Sequence, residues 1–221
     1  MKKNILIACF LSYFSTSFAQ QRIVTTDIKN FWQAYDQIKL TTDSAKQVDL
    51  INQHYIQKGT PGLKALMQVR NYNAQGFVNA IKNYPQFWAS VRNNTLKADD
   101  YAKEIEKAVI LLKELYPELK PATIYFSIGA LRTGGTTLED KVLIGAEISM
   151  TDEKTSTEEL QKGFPHLPGF FKTRPIDGLV FTNTHEYVHT QQKTTIGNTL
   201  LTQVVIEGVA ELLAEKSLNC K

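Results

Sequence analysis

The stretch His185-Glu186-Tyr187-Val188-His189, followed by Glu207-Gly208-Val209-Ala210-Glu211, decides how this 221-residue chain is read. On an α-helix, residues four apart lie on one face, one turn above each other, so His185 and His189 can aim both imidazoles at one point. Such a point suits a metal ion. Glu186 stands where it can take a proton from a water held there, which is why H-E-x-x-H on a helix reads as a zinc hydrolase site. Glu207 offers a third ligand, completing a two-histidine, one-carboxylate set that leaves a fourth position for water. Glu211, one turn further on the same face, is placed to accept the outer N–H of a ligand histidine and fix its tautomer. The expected cofactor is therefore one Zn²⁺ per chain, held by His185, His189 and Glu207, with Glu186 as general base.

Two other readings of these residues compete with it. A di-iron site would use the Glu186-x-x-His189 pair but needs a second such pair, and the sequence has none. A pair of plain core histidines would need hydrogen-bond partners of its own, because burying polar groups unpaired is costly. His54 has no acidic or histidine partner at helical spacing, and His166 lies in a proline-bounded loop. Both read as ordinary histidines.

Pro175 is expected in the first turn of the metal helix, where its missing N–H costs nothing. Lys193 to Asn198 is the connection to a second helix, with Leu200, Leu201, Val204, Val205, Leu212 and Leu213 as its apolar side. Thr151 to Thr173 is irregular, with a short helix opened by a Ser156–Glu159 capping box. Before it, Thr123–Ile128 and Val142–Ile148 read as two strands joined through the turn-rich Thr133-Gly134-Gly135-Thr136. Further back the pattern is helical. Ile28, Phe31, Trp32, Tyr35 and Ile38 form one stripe, and Asp43 caps a helix carrying Val48, Ile51, Tyr55 and Ile56 that breaks at Gly59-Thr60-Pro61-Gly62. Helices follow over 63–70 and 74–82, then Tyr84-Pro85 as punctuation and Phe87, Trp88 and Val91 as core. Asp99 or Asp100 caps a longer helix bearing Tyr101, Ile105, Val109, Leu112 and Tyr116. The expected class is α+β: a helical scaffold over 20–120 and a metal-binding part over 121–221 with a small antiparallel or mixed sheet, in one integrated domain.

The chain is 43% hydrophobic and 21% charged with a formal charge of +3, which argues against disorder. It has no clustered Lys/Arg stripe, so nucleic acid is not an expected partner. Residues 1–19 read as a secretory signal peptide: Lys2 and Lys3, an apolar run from Ile5 to Phe14 too short to span a bilayer, and a small-x-small site at Ser17-Phe18-Ala19. The mature chain is expected to be periplasmic or extracellular, without a transmembrane segment. Lipid anchoring at Cys9 is a competing reading. After cleavage only Cys220 remains, which excludes an internal disulfide and a cysteine-ligated zinc.

The paired motifs resemble the gluzincin group of zinc peptidases, in which H-E-x-x-H is followed on a second helix by a ligand Glu, often within E-G-x-A. Seventeen residues separate His189 from Glu207, a residue or two fewer than in thermolysin-like enzymes. Gly59-Thr60-Pro61-Gly62-Leu63, Tyr84-Pro85, Tyr125-Phe126, Gly134-Gly135-Thr136 and Leu143-Ile144-Gly145-Ala146-Glu147 resemble a family of secreted bacterial proteins predicted to be zinc-dependent proteases, related to gliding-motility lipoproteins. The resemblance implies a zincin-like catalytic domain acting on peptide or protein substrates. It implies an edge strand that pairs with the substrate backbone, here Leu143, Ile144 and Gly145. It also implies an oxyanion donor from a segment beyond the Glu helix; the sequence ends at Lys221, so the expectation is a truncated product that binds zinc yet turns over poorly. The alternative expectation is a non-catalytic zinc-binding or surface-interaction protein that keeps the site.

Overall fold

Aromatic residues at three- and four-residue steps build the first half of the molecule. The computed structural model describes residues 23–173, 176–192 and 199–219. Strand β1 (Ile23–Val24) leads into α1 (Thr26–Lys39), α2 (Ser44–Ile51) with a π-turn over Asn52–Ile56, α3 (Pro61–Arg70), α4 (Ala74–Asn83), α5 (Pro85–Thr95) and α6 (Ala98–Leu115). Then come β2 (Thr123–Ser127), β3 (Gly135–Leu138), β4 (Lys141–Gly145), α7 (Ala146–Ser149), α8 (Leu167–Thr173), α9 (Leu179–His189) and α10 (Leu200–Asn219). The class is α+β, with helices dominant. One continuous core runs from the scaffold into the sheet and reaches Tyr187 and Val188 of α9.

Phe31 on α1 sits against Trp32, Tyr55, Phe77 and Trp88, with ring centroids 5.1 to 6.2 Å apart, the separation at which tilted and edge-on aromatic pairs attract. Each indole N–H is satisfied: Trp32 donates to Thr95 Oγ1 and Trp88 to the Ala80 carbonyl. Two polar bolts join scaffold to sheet. The Tyr55 hydroxyl donates to the Ile128 carbonyl and accepts from the Ile128 N–H. Buried Asp27 accepts from the Thr60 N–H, the Thr60 hydroxyl and the Ser127 hydroxyl, tying α1, the start of α3 and the end of β2 together. Gly62 is the only residue type that fits at that junction, since a Cβ there would lie 2.2 Å from the Tyr125 side chain.

The sheet is mixed, in the order β1-β2-β4-β3. β1 and β4 run parallel to β2, and β3 runs antiparallel to β4, with Gly135 opposite Ile144 and Leu138 opposite Lys141. The turn between β3 and β4 is Glu139-Asp140, with Glu139 left-handed at φ 54°.

Several expectations are corrected. The expected strand 142–148 ends at Gly145, and Ala146–Ser149 is helical; fully buried Glu147 turns its carboxylate to the N–H groups of Gly129 and Leu131 instead. Those contacts hold a loop in which Ala130 and Leu131 are both left-handed, a costly conformation for residues with a Cβ. Gly135 and Thr136, expected in a turn, belong to β3. Neither Asp99 nor Asp100 caps α6, whose N-cap is Lys97; Asp99 accepts from Thr25 and Lys29. Ser156 and Glu159 form no capping box. Glu159 satisfies the N–H groups of Gln86 and Phe87 at the start of α5, the helix that Pro85 opens. On α10, Leu200, Leu201, Val204, Val205 and Leu212 are exposed, and Ala210, Ala214 and Ser217 are the buried residues. The expectations at residues 1–19, Pro175, Lys193–Asn198 and Cys220 lie outside the described residues.

Candidate metal centre

Helix α9 packs between the sheet, α6 and α10. Its register is fixed from below by Tyr187, whose buried hydroxyl accepts from the Ala122 N–H and donates to the Lys120 carbonyl, and by Gln191, which pairs with both backbone groups of Lys120. With Tyr187 pointing into the core, His185 and His189 turn toward α10. The two helices run antiparallel there: His185 meets Glu207 and Glu211, while Gln192 meets Ile206.

His185 Nε2 lies 3.0 Å from His189 Nε2 and 3.2 Å from Glu207 Oε2, and His189 Nε2 lies 3.5 Å from that same oxygen. The hydrogen bonds around the rings set their tautomers. The Gln192 amide N–H donates to the Ile206 carbonyl, so its oxygen faces His189 Nδ1 at 2.6 Å and requires a proton on that nitrogen. On the other ring, His185 Nδ1 is 3.3 Å from Glu211 Oε2, within ion-pairing distance but off the line of a formed hydrogen bond. The hydrogen-bonded nitrogen of this ring is Nε2, which faces both Glu207 Oε2 and His189 Nε2, so without a metal the geometry satisfies a proton on His185 Nε2. A metal ion that displaces that proton meets two imidazole Nε2 atoms and one carboxylate oxygen converging on one point. The three ligand atoms lie within 4.8 Å of one another, so the group could hold a metal ion. Burial lowers the pKa of His185, and the neighbouring imidazole acts the same way against the opposing pull of Glu207 and Glu211. A neutral imidazole is the form that binds a metal.

The cleft over the centre has two arms. The larger, about 590 Å³, is lined by Gly134, Gly135, Phe170, Thr182, His185, Glu186, Glu207 and Glu211 among others. The smaller, about 300 Å³, lies along Gly135, Thr136 and Thr137 and contains Arg70, Glu186, His189 and Gln192. Glu186 borders both. It packs on the backbone of β3 so tightly that a Cβ on Gly135 would fall 2.5 Å from its Oε1.

His185, Glu186, His189, Glu207 and Glu211 thus come together as one site. Leu143, Ile144 and Gly145 do not. They lie in β4, which is hydrogen-bonded to β2 on one side and β3 on the other, so this strand has no edge to offer a substrate. The edge strand beside the centre is β3. His166 is exposed and His54 half-buried, and neither lines the cleft. Sequence reasoning missed Gln192, whose position three residues after His189 was the available signal, and Arg70, for which there was none. No family model matches the chain, and no curated protein and no solved structure matches it significantly.

Proposed function

We propose that this chain is an exported zinc-dependent peptidase of the gluzincin type. The observation that supports it most is the convergence of two histidine Nε2 atoms and one carboxylate oxygen on a single point at the wall of a cleft, with a further carboxylate, Glu186, beside it. Two neutral imidazoles and a carboxylate suit zinc, and the open side of the group leaves room for water. When bound, zinc supplies a Lewis acid and brings the pKa of water to near neutrality. His185, His189 and Glu207 hold it. Gln192 holds the outer nitrogen of His189, and Glu211, 3.3 Å from His185 Nδ1, is placed to take up the outer N–H of that ring once zinc occupies its Nε2. Glu186 takes the proton of the attacking water and returns it to the leaving amine. β3 receives the substrate backbone by strand addition, since no described strand pairs with its outer side and Gly135, Thr136 and Thr137 line the cleft.

Elemental analysis of the mature chain tests the centre: one zinc per chain, lost in His189→Ala, is expected. Glu186→Gln tests the chemistry. It should keep zinc and lose peptide hydrolysis by about 10²-fold or more. Wild-type protein free of zinc would end the proposal, and hydrolysis that survives Glu186→Gln would remove the base.

A further inference from the structure

Arg70, the last residue of α3, is a half-buried guanidinium in the small arm of the cleft. One of its five N–H groups is accounted for: Nη2 donates to Thr133 Oγ1 at 3.1 Å, and that hydroxyl donates on to the Gly135 carbonyl. Its Nε is buried and has no hydrogen-bond partner among the described residues. Among the described residues Arg70 makes no ion pair, although Glu186 and Glu207 line the same arm. A guanidinium set at the wall of a cleft, tethered through one hydroxyl and left without an anion, is built to receive one. Its fork matches a carboxylate bidentately. Among the described residues the larger arm offers Phe170 but no Lys or Arg, so the two arms differ in kind and impose a direction on whatever lies across them.

We propose that Arg70 anchors a carboxylate of the bound peptide in the small arm, on the His189 side of the centre. This rests on the reading of the cleft as a peptide site. The carboxylate is either the C-terminal α-carboxylate, which makes the small arm the end of the cleft, or an Asp or Glu side chain, which makes it an acidic-residue pocket.

Binding without turnover decides it. Zinc-loaded Glu186→Gln protein is titrated into three N-terminally labelled short peptides, followed by fluorescence anisotropy: a neutral peptide with a free C-terminus, its C-terminal amide, and an amide carrying one Glu. One or both carboxylate-bearing peptides should bind about tenfold or more tightly than the neutral amide, the gain expected of a charge-assisted pair. Which one gains identifies the source. The preference should disappear with Arg70→Met and survive in part with Arg70→Lys. Equal binding of all three, binding of none, or a preference that outlasts Arg70→Met overturns the assignment. If Arg70→Met fails to fold, the three peptides on the protein with Arg70 intact still decide. Zinc content measured on the same samples separates the two readings. Zinc bound without peptide preference sinks the anchor and spares the centre, whereas preference without zinc does the reverse.

Discussion

Helices α1 and α10 carry apolar side chains at similar helical spacing, yet the molecule uses them in opposite ways. α1 drives Phe31, Trp32 and Ile38 into an aromatic core. α10 leaves Leu200 82% and Val205 54% exposed and buries small residues, Ala210, Ala214 and Ser217, on its inner face. Small inner residues let two helix backbones approach closely. That approach is what brings the Glu207 carboxylate to the histidines of α9. The scaffold is therefore held by burial of large side chains, and the site by placement of short ones.

Four substitutions sharpen or break this contrast. Trp88→Ala should cost about 3–5 kcal/mol, because it removes a fully buried indole from the Phe31 cluster; urea or guanidinium denaturation measures it. If the cost were under 1 kcal/mol, the scaffold would not be the stabilising half. Next is Glu147, whose pKa burial pushes up to about 7 from 4.5. In the window between those values the native chain binds more protons than the unfolded one, so stability falls as pH rises. The contribution is fully present below about 4.5 and gone above about 7, on the order of 3 kcal/mol in all. Stability curves of wild type and Glu147→Gln between pH 4 and 8 should therefore converge or cross, and parallel curves would refute the shift. Gln192→Ala should weaken zinc binding by about 10- to 100-fold while moving stability little; competition with a chelator reads the first and a thermal melt the second. Equal loss in both would put Gln192 with the scaffold. Smallest is Val205→Ser on the exposed face of α10, expected within about 0.5 kcal/mol of wild type. A larger loss would show that this face is covered.

The grouping of His185, His189 and Glu207 was legible because the first two are one turn apart on a single helix and the third sits on the next. The scaffold helices were legible for the same local reason, and so was the Asp43 cap, which accepts from Ala45 and Lys46 only two and three residues on. What escaped was non-local. Glu159 caps a helix over 70 residues away, and Arg70 reaches Thr133 across 63. Which strand lies at an edge is decided by pairing across the sheet, and period-two alternation is blind to it. Thus β4, the better strand by composition, is interior, while β3, whose Gly135 and Thr136 read as part of a turn, forms the half-buried border. The α10 stripe failed differently: periodicity reported an apolar face correctly but not that its inner face would be chosen for smallness.

The pairing of Ile23 with Ile124, together with the Asp27–Ser127 bond spanning 100 residues, has a consequence in time. Almost the whole helical scaffold is strung as a loop between those two contacts. Closing so long a loop costs entropy that only a pre-formed aromatic cluster can offset. The helices around Phe31 should therefore assemble first, the sheet should zip from β2 outward afterwards, and β3 with its hold on Glu186 should be among the last parts of the molecule to become native.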